Sequence, residues 1–332
     1  MDEGVVQSRA LACGLGWATA CSRRGASHIS VGSSCQDAVL TQAGFLSGYS
    51  FLIGAVADGH GDPRCDRSES GALFAVTAAV EEIHNVLHGR ARDDAFSAGS
   101  RSLKSDFPMR VRRRWRKLVE KDLATGPVGM TPGVDEVKRY GTTLIVAAVF
   151  GWQVYVTHLG DGDVVWVPDA DGSAGEAMIV TPNVNRGVAG ETESMIDPEA
   201  HLHFRPRVLD CSMGGYLLLS SDGLSDAHAD DEQFLAFCTD LVSRYREFGE
   251  QRVSEVLPSW LDDRSKRGSG DDISLVVLRI NGTRRDRASS AAAASGSAEL
   301  SNHEGDIIDA SQGNAVAGGD EQPDRDGREI AG

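Results

Sequence analysis

The stretch FLIGAVADGHGDPR, Phe51 to Arg64, begins as an apolar run and ends in Asp58, Gly59, His60, Gly61 and Asp62. From Phe51 to Ala57 it has the length and character of a buried strand. A strand that stops on a carboxylate and an imidazole between glycines raises the question of what those groups do at its lip. The same ending recurs along the chain. QVYVTHLG runs into Asp161, YLLLSS runs into Asp222, and Asp271-Asp272 stand at the mouth of ISLVVLRI; Asp37, in SSCQDAV, is a fifth candidate. Taken singly, each Asp-Gly is ordinary turn chemistry. Gathered at one end of shared sheets, the carboxylates would repel one another unless a cation lay among them. Hard divalent ions held by oxygen, Mg²⁺ or Mn²⁺, are the natural neutraliser, and a glycine alongside lets backbone and carbonyl approach closely.

Around this stretch, strand-like runs are expected at 51–57, 143–150, 153–158, 163–167, 216–221 and 273–280. Phe150-Gly151-Trp152 predicts a tight hairpin between the second and third runs, and LGDG predicts another between the third and fourth. Helices are expected over 71–88, 109–123 and 231–248, the last with Asp230 as N-cap and Gln233 at the capping-box position. Hairpins followed by helices, without strict βαβ alternation, indicate an α+β layered domain built on antiparallel sheets.

The chain carries a net charge of −16, which repels a polyanion, so nucleic acid is not an expected partner. No apolar run is long enough to span a membrane, and the N-terminal stretch lacks a basic region followed by an apolar one. Six scattered cysteines without CxxC spacing read as reduced packing thiols, and the expected location is cytoplasmic. After Ile280 the composition turns to Gly, Ala, Ser and acids, with five arginines against ten Asp or Glu. Residues 281–332 are therefore expected to be a disordered acidic tail, and residues 1–280 the folded domain. The basic run MRVRRRWRKLVEK (109–121) reads as a solvated helix face with Val111, Trp115, Leu118 and Val119 as its buried stripe. Attraction of acidic or phosphorylated partners is its alternative reading. PDADGSAG (168–175) has Val180 where a calcium loop needs glutamate, and reads as a loop tip.

ADGHG (57–61), YGTT (140–143), LGDGD (159–163), SSDGL (220–224) and SGDDIS (269–274), in this order, resemble the motif series of the metal-dependent protein phosphatases, the protein phosphatase 2C family. GASHISVGSSCQDA (25–38) and GETESM (190–195) resemble a bacterial-type branch, and the likeness spans about Gly25 to Ile280. The resemblance implies a four-layer αββα sandwich of two antiparallel sheets flanked by helices. It implies two Mn²⁺ or Mg²⁺ ions per site, with a third, weaker ion. Asp58 matches the aspartate that bridges two metals and Gly59 the carbonyl on the second. Asp222 and Asp271 match ligands of the first, Asp37 lies on the second metal's side through water, and Asp161 matches the third metal's ligand. His60 matches the general acid that protonates the leaving group.

The activity so implied is hydrolysis of phosphoserine or phosphothreonine in protein substrates of a Ser/Thr kinase, by a water that the ions activate. Two departures stand out. Gly32 occupies the slot of a phosphate-gripping arginine, with His28, Arg23 or Arg24 as candidate substitutes, and Gln36 replaces a glutamate. The missing arginine motivates an alternative, a pseudophosphatase or phosphoprotein-binding module with weak turnover. A metal-dependent nuclease is a third reading, opposed by the acidic charge and the motif order.

Overall fold

In the computed structural model of the chain, the described residues are 11–46, 49–88, 103, 105–125, 136–181 and 192–282. The acidic tail from 283 onward lies outside them, as do residues 190 and 191 of GETESM. The first strands are β1 (Leu11–Cys13), β2 (Gly16–Arg23), β3 (Ala38–Leu46) and β4 (Tyr49–Ala57), with a short helix α1 (Ala26–Val31) between β2 and β3. Helices α2 (Ser68–His88) and α3 (Phe107–Thr125) and a 3₁₀ turn (Glu136–Tyr140) lead to β5 (Leu144–Phe150), β6 (Gln153–Leu159) and β7 (Asp163–Ala170). Two short strands, β8 (Ser173–Ala174) and β9 (Met178–Ile179), precede α4 (Ala200–His203), β10 (Arg207–Asp210) and β11 (Gly215–Ser220). The described chain closes with α5 (Asp222–Ser225), α6 (Asp231–Phe248), α7 (Glu250–Arg267) and β12 (Ile273–Ile280).

The strands form a seven-stranded sheet, β1-β2-β12-β11-β7-β8 with β9 beside β7, and a five-stranded sheet, β10-β6-β5-β4-β3. All their pairings are antiparallel. Three apolar layers hold four structural ones together. Ile53, Ala55 and Ala57 of β4 face Val76, Ile83, Phe107 and Trp115 of α2 and α3. Leu52 and Val56 point the other way and meet Leu219, Val276 and Leu278 of the opposite sheet. Beyond that sheet, Leu218, Leu275 and Val277 pack against Phe234, Leu241, Leu257 and Leu261 of α6 and α7. Central strands are thus buried on both faces, which is why they read as unbroken apolar runs and not as alternating ones. The fold is the expected αββα sandwich.

The hairpin at Gly151-Trp152 forms, with Phe150 opposite Gln153 and Gly151 at φ +65°. LGDG does not make the second hairpin that its residues suggest. β6 belongs to the five-stranded sheet and β7 to the seven-stranded one, so Gly160-Asp161-Gly162 carries the chain across the sandwich. Asp171-Gly172 is the tip of the β7–β8 hairpin, and Asp169, paired with Ala174 below it, serves as the acceptor for Arg246 and Arg279. Asp230 caps α6 by accepting from Gln233 N at 2.8 Å. Helix α7 has Pro258 in its interior, which masked it in the sequence, yet Val253, Leu257 and Leu261 supply its buried stripe. The six cysteines are free thiols, and no helix of the described residues is long and apolar enough to cross a membrane.

His158, on β6, is fully buried and its Nδ1 lies 2.8 Å from Thr181 Oγ1. Burial, with Arg205 nearby, drives its pKa down from 6.5 to about 3. The folded chain therefore holds this ring neutral while the unfolded chain takes up a proton below 6.5. Its contribution to stability is present above pH 6.5 and drains as pH falls toward 3. Thermal unfolding at pH 7 and pH 5 checks this: whatever the carboxylates contribute to both proteins, the stability of the wild type relative to His158→Asn is expected to fall between pH 7 and pH 5.

Candidate active site

The expected site residues come from both sheets. Asp58 follows β4, and its backbone is locked by Thr143 N to Asp58 O at 2.9 Å and Thr142 Oγ1 to Asp58 O at 2.8 Å. Asp222 opens α5 directly after β11, and Asp271 lies just before β12. Asp37 sits ahead of β3 and accepts from Ser221 Oγ at 2.8 Å. Asp161, on the crossing between the sheets, accepts from Thr192 Oγ1 at 2.7 Å. Strand ends in register thus bring residues distant in sequence to one edge of the sandwich.

The electrostatics show how close these groups are. Asp58 is raised well above the usual carboxylate range, first by burial and then by Asp37, Asp222 and Asp271. Burial likewise raises Asp37, with Asp272 and Asp222 adding to the shift while hydrogen bonds from Ser221 and Ser274 oppose it. Asp222 is pushed up to about 7 by burial, Asp161, Asp226 and Asp271, while its contact with Asp58 opposes the shift. Three carboxylates held out of their usual ionisation range, with Asp161 and Asp271 beside them, all offering hard oxygen atoms, are a donor set that fits divalent cations. Gln36 Oε1 is also buried, with no hydrogen-bond partner among the described residues.

The tightest group of ligand-type atoms among the described residues is a different one, His28, Asp271 and Asp272, within 4.8 Å of one another. Asp272 is only 3% exposed, and its oxygens already accept from Gly25 N (2.6 Å) and Gln36 N (2.7 Å) and contact His28 Nδ1 (2.9 Å). It is a structural knot that ties the α1 segment to the start of β12, leaving the 54%-exposed Asp271 to face outward beside it. Glycine at 59 also has a role beyond ligand approach. A Cβ there would lie 2.5 Å from Gln36 O, so the missing side chain makes room for the neighbouring backbone.

His60 follows directly. Its N–H donates to Gly141 O at 3.0 Å, and its Nε2 is buried with no hydrogen-bond partner among the described residues. Burial lowers its pKa, while Asp161 and Asp62 pull it back up. Gly141 is the floor under the ring, since a Cβ there would lie 3.0 Å from His60 Nδ1 and 2.8 Å from Cys65 Sγ. Cys65 is a buried thiol near Lys138 O, and burial raises its pKa, so it is no thiolate. Gly141→Ala is expected to displace the imidazole and cost about tenfold or more in kcat on a phosphopeptide. Circular dichroism and steady-state rates on the purified variant check that the loss is local.

Two of the three candidate substitutes for the arginine missing at Gly32 are occupied elsewhere. Arg23 makes a bidentate pair with Asp262 at 2.6 and 2.9 Å, and His28 is held by Asp272. Gly32 itself ends α1 at φ +77°. The described part of the 181–209 segment meets the site through Thr192 on Asp161 and through Ser194 Oγ and Met195 N at Thr142. Thr142, Thr143, Ser221, Thr192 and Asp272 are the supporting residues that sequence reasoning left without roles. YGTT and SSDG contain three of them, and only their hydrogen bonds show why.

A sequence model of the family described as protein phosphatase 2C matches residues 24–262. No curated protein matches the chain in sequence. Among solved structures, a bacterial serine phosphatase aligns with TM-score 0.52 and 15% identity over 80% of this chain and 98% of its own. The catalytic domain of the serine threonine protein phosphatase PstP in complex with two manganese ions aligns with TM-score 0.50 and 21% identity, over 79% and 97%. The S. agalactiae serine/threonine phosphatase aligns with TM-score 0.50 and 16% identity, over 80% and 99%. At these identities the alignments speak for the sandwich fold, and the family match reaches most of the chain, including the strand ends that carry Asp37, Asp58, Asp161 and Asp222. The chain belongs to the protein phosphatase 2C family of protein-serine/threonine phosphatases.

Proposed function

We propose that the protein hydrolyses phosphoserine or phosphothreonine esters in protein substrates, with divalent ions held by Asp58, Gly59, Asp222 and Asp271, Asp37 assisting and Asp161 on a further ion. The observation that carries this reading is the elevation of Asp37, Asp58 and Asp222 by burial and by neighbouring carboxylates that include Asp161 and Asp271. Manganese or magnesium bound there would neutralise the phosphoryl oxygens and lower the pKa of a bound water. The two manganese ions of the PstP structure support the choice of metal.

The chain's own residues supply the rest. Thr142 and Thr143 fix the peptide that presents Asp58, and Ser221 holds Asp37 in place. His60 is placed by Gly141, with its free Nε2 available to the oxygen of the departing serine or threonine. Burial lowers the ring's pKa, and Asp161 and Asp62 offset part of that shift toward the protonated form that a general acid needs. The folded domain would cover residues 1–280, with the tail outside it.

A manganese titration of p-nitrophenyl phosphate and phosphothreonine-peptide hydrolysis tests the proposal. Metal-dependent turnover of both supports it; manganese binding without turnover supports the second reading, a phosphoprotein-binding module. That reading draws on the engagement of Arg23 and His28 with Asp262 and Asp272, away from any phosphate.

A further inference from the structure

Helix α3 is a strongly basic segment of an acidic chain. Its buried stripe, Val111, Trp115 and Val119, packs on α2, where Trp115 Nε1 donates to Gly71 O at 3.0 Å. Several of its cations are consumed in holding that contact: Arg110 and Arg114 pair with Glu82, and Arg114 also with Glu81. A different set remains. Arg112, Arg113, Arg116, Lys117 and Glu120 recur at helical spacing on another face and, with His201 of α4, line a groove of about 340 Å³. Glu120 is matched to Arg116 at 3.0 Å. Arg113 and Lys117 are exposed and have no acidic partner among the described residues. Arg112 spends its Nε on the carbonyl of Asp197 (2.7 Å), and burial together with Arg116 lowers its pKa, with the Asp197 carboxylate opposing.

Cations crowded side by side along a groove, in a chain of net charge −16, are costly unless an anion neutralises them. We propose that this groove is a docking site for an acidic stretch of a phosphoprotein, outside the catalytic pocket. The proposal deepens the phosphatase reading and rests on it for the identity of the ligand as a substrate. Charge complementarity selects the occupant: a run of Asp, Glu or phosphorylated residues matches arginine forks spaced along a helix.

The groove is also joined to the site. Asp197, which receives Arg112, lies five residues after Thr192, whose hydroxyl binds Asp161. Five residues span at most about 17 Å of chain, so an acidic segment in the groove and a phosphoresidue near Asp161 can belong to one short peptide. Between them, Met195 N and Ser194 Oγ bind the carbonyl of Thr142, the residue whose hydroxyl holds Asp58. The segment from Thr192 to Asp197 thus runs from the border of the carboxylates to the edge of the groove.

The test compares the wild-type full chain with the double reversal Arg113→Glu/Lys117→Glu, which changes exposed side chains only. Fluorescence anisotropy of a labelled, unphosphorylated peptide containing a run of Asp and Glu reads docking alone. Rates on phosphothreonine peptides with acidic or neutral flanks read its consequence. Binding of the acidic peptide is expected to weaken about tenfold or more in the variant. The KM for the acidic-flank substrate should rise by a similar factor, with kcat and p-nitrophenyl phosphate turnover unchanged. The advantage of the acidic flank should fade in the wild type at about 0.5 M salt.

Equal KM values for the two peptides, or anisotropy unaffected by the reversal, overturn the proposal. So does tight binding of a single-stranded RNA oligomer with none of the acidic peptide. If p-nitrophenyl phosphate is not hydrolysed by the manganese-loaded wild type, the phosphatase reading fails, and the anisotropy still tests the groove by itself.

Discussion

Asp58→Asn and Asp222→Asn should each abolish phosphatase activity while making the metal-free protein more stable. The loss of rate follows from removing an ionised oxygen at the centre of the carboxylate cluster. Metal-borne charge stabilisation is worth several kcal/mol, and at about 1.4 kcal/mol per decade the expected loss is at least roughly 10³-fold. The gain in stability follows from the same cluster. Asp58, Asp37 and Asp222 have folded-state pKa values raised above those of the unfolded chain, by burial and by neighbouring carboxylates. A carboxyl shifted this way stabilises the fold fully below its unfolded pKa, near 3.8, and loses that contribution as pH rises through the folded value, about 7 for Asp222. In chelator, the wild type should melt at a lower temperature at pH 7.5 than at pH 5, and the Asn variants should show a smaller gap. Manganese should raise the wild-type melting temperature far more than that of either variant. A variant that keeps near-normal turnover, or a wild-type protein whose stability in chelator ignores pH across this window, would contradict the assignment of these groups.

His60→Ala carries the second large effect, and its signature is a difference between substrates. The alkoxide of serine or threonine is a poor leaving group that needs a proton, whereas p-nitrophenolate leaves unaided. General acid catalysis is worth about 10²–10⁴-fold, so a loss in that range is expected on a phosphothreonine peptide, and a much smaller one on p-nitrophenyl phosphate. The manganese dependence of the remaining activity should be unchanged, because the imidazole is not counted among the metal ligands. Equal losses on both substrates would remove His60 from its role as the acid and leave it a packing residue over Gly141.

The strand-and-carboxylate pattern was legible in the sequence because it depends on local composition. The runs at 51–57, 143–150 and 273–280 are predominantly apolar, with Thr143, Ser274 and Arg279 as the polar exceptions, for the reason that both their faces are covered. Less could be read where a local signal is shared by two outcomes. LGDG has the composition of a hairpin, and only the register of β6 on β5 and of β7 on β11 shows that it crosses between sheets. Pro258 hid α7, because a proline argues against a helix interior unless packing on both sides compensates. β2, with the sequence GWATACSR, has few of the large β-branched residues that mark a strand, yet it is almost wholly buried between β1 and β12. The supporting hydroxyls of Thr142, Thr192 and Ser221 could not be assigned either. Their roles come from partners 31 to 184 residues away in the chain.

Because the carboxylates are divided between the two halves of the sandwich, whatever sets the spacing of those halves also sets the bite of the site. Asp58 rides on one sheet and Asp222 and Asp271 on the other, and the methyl groups of Leu52, Val56, Leu219 and Val276 are the shims between them. Trimming or enlarging one of these side chains would alter ion affinity with no ligand touched. A cation held by carboxylates from both sheets would, in turn, act as a clasp between them.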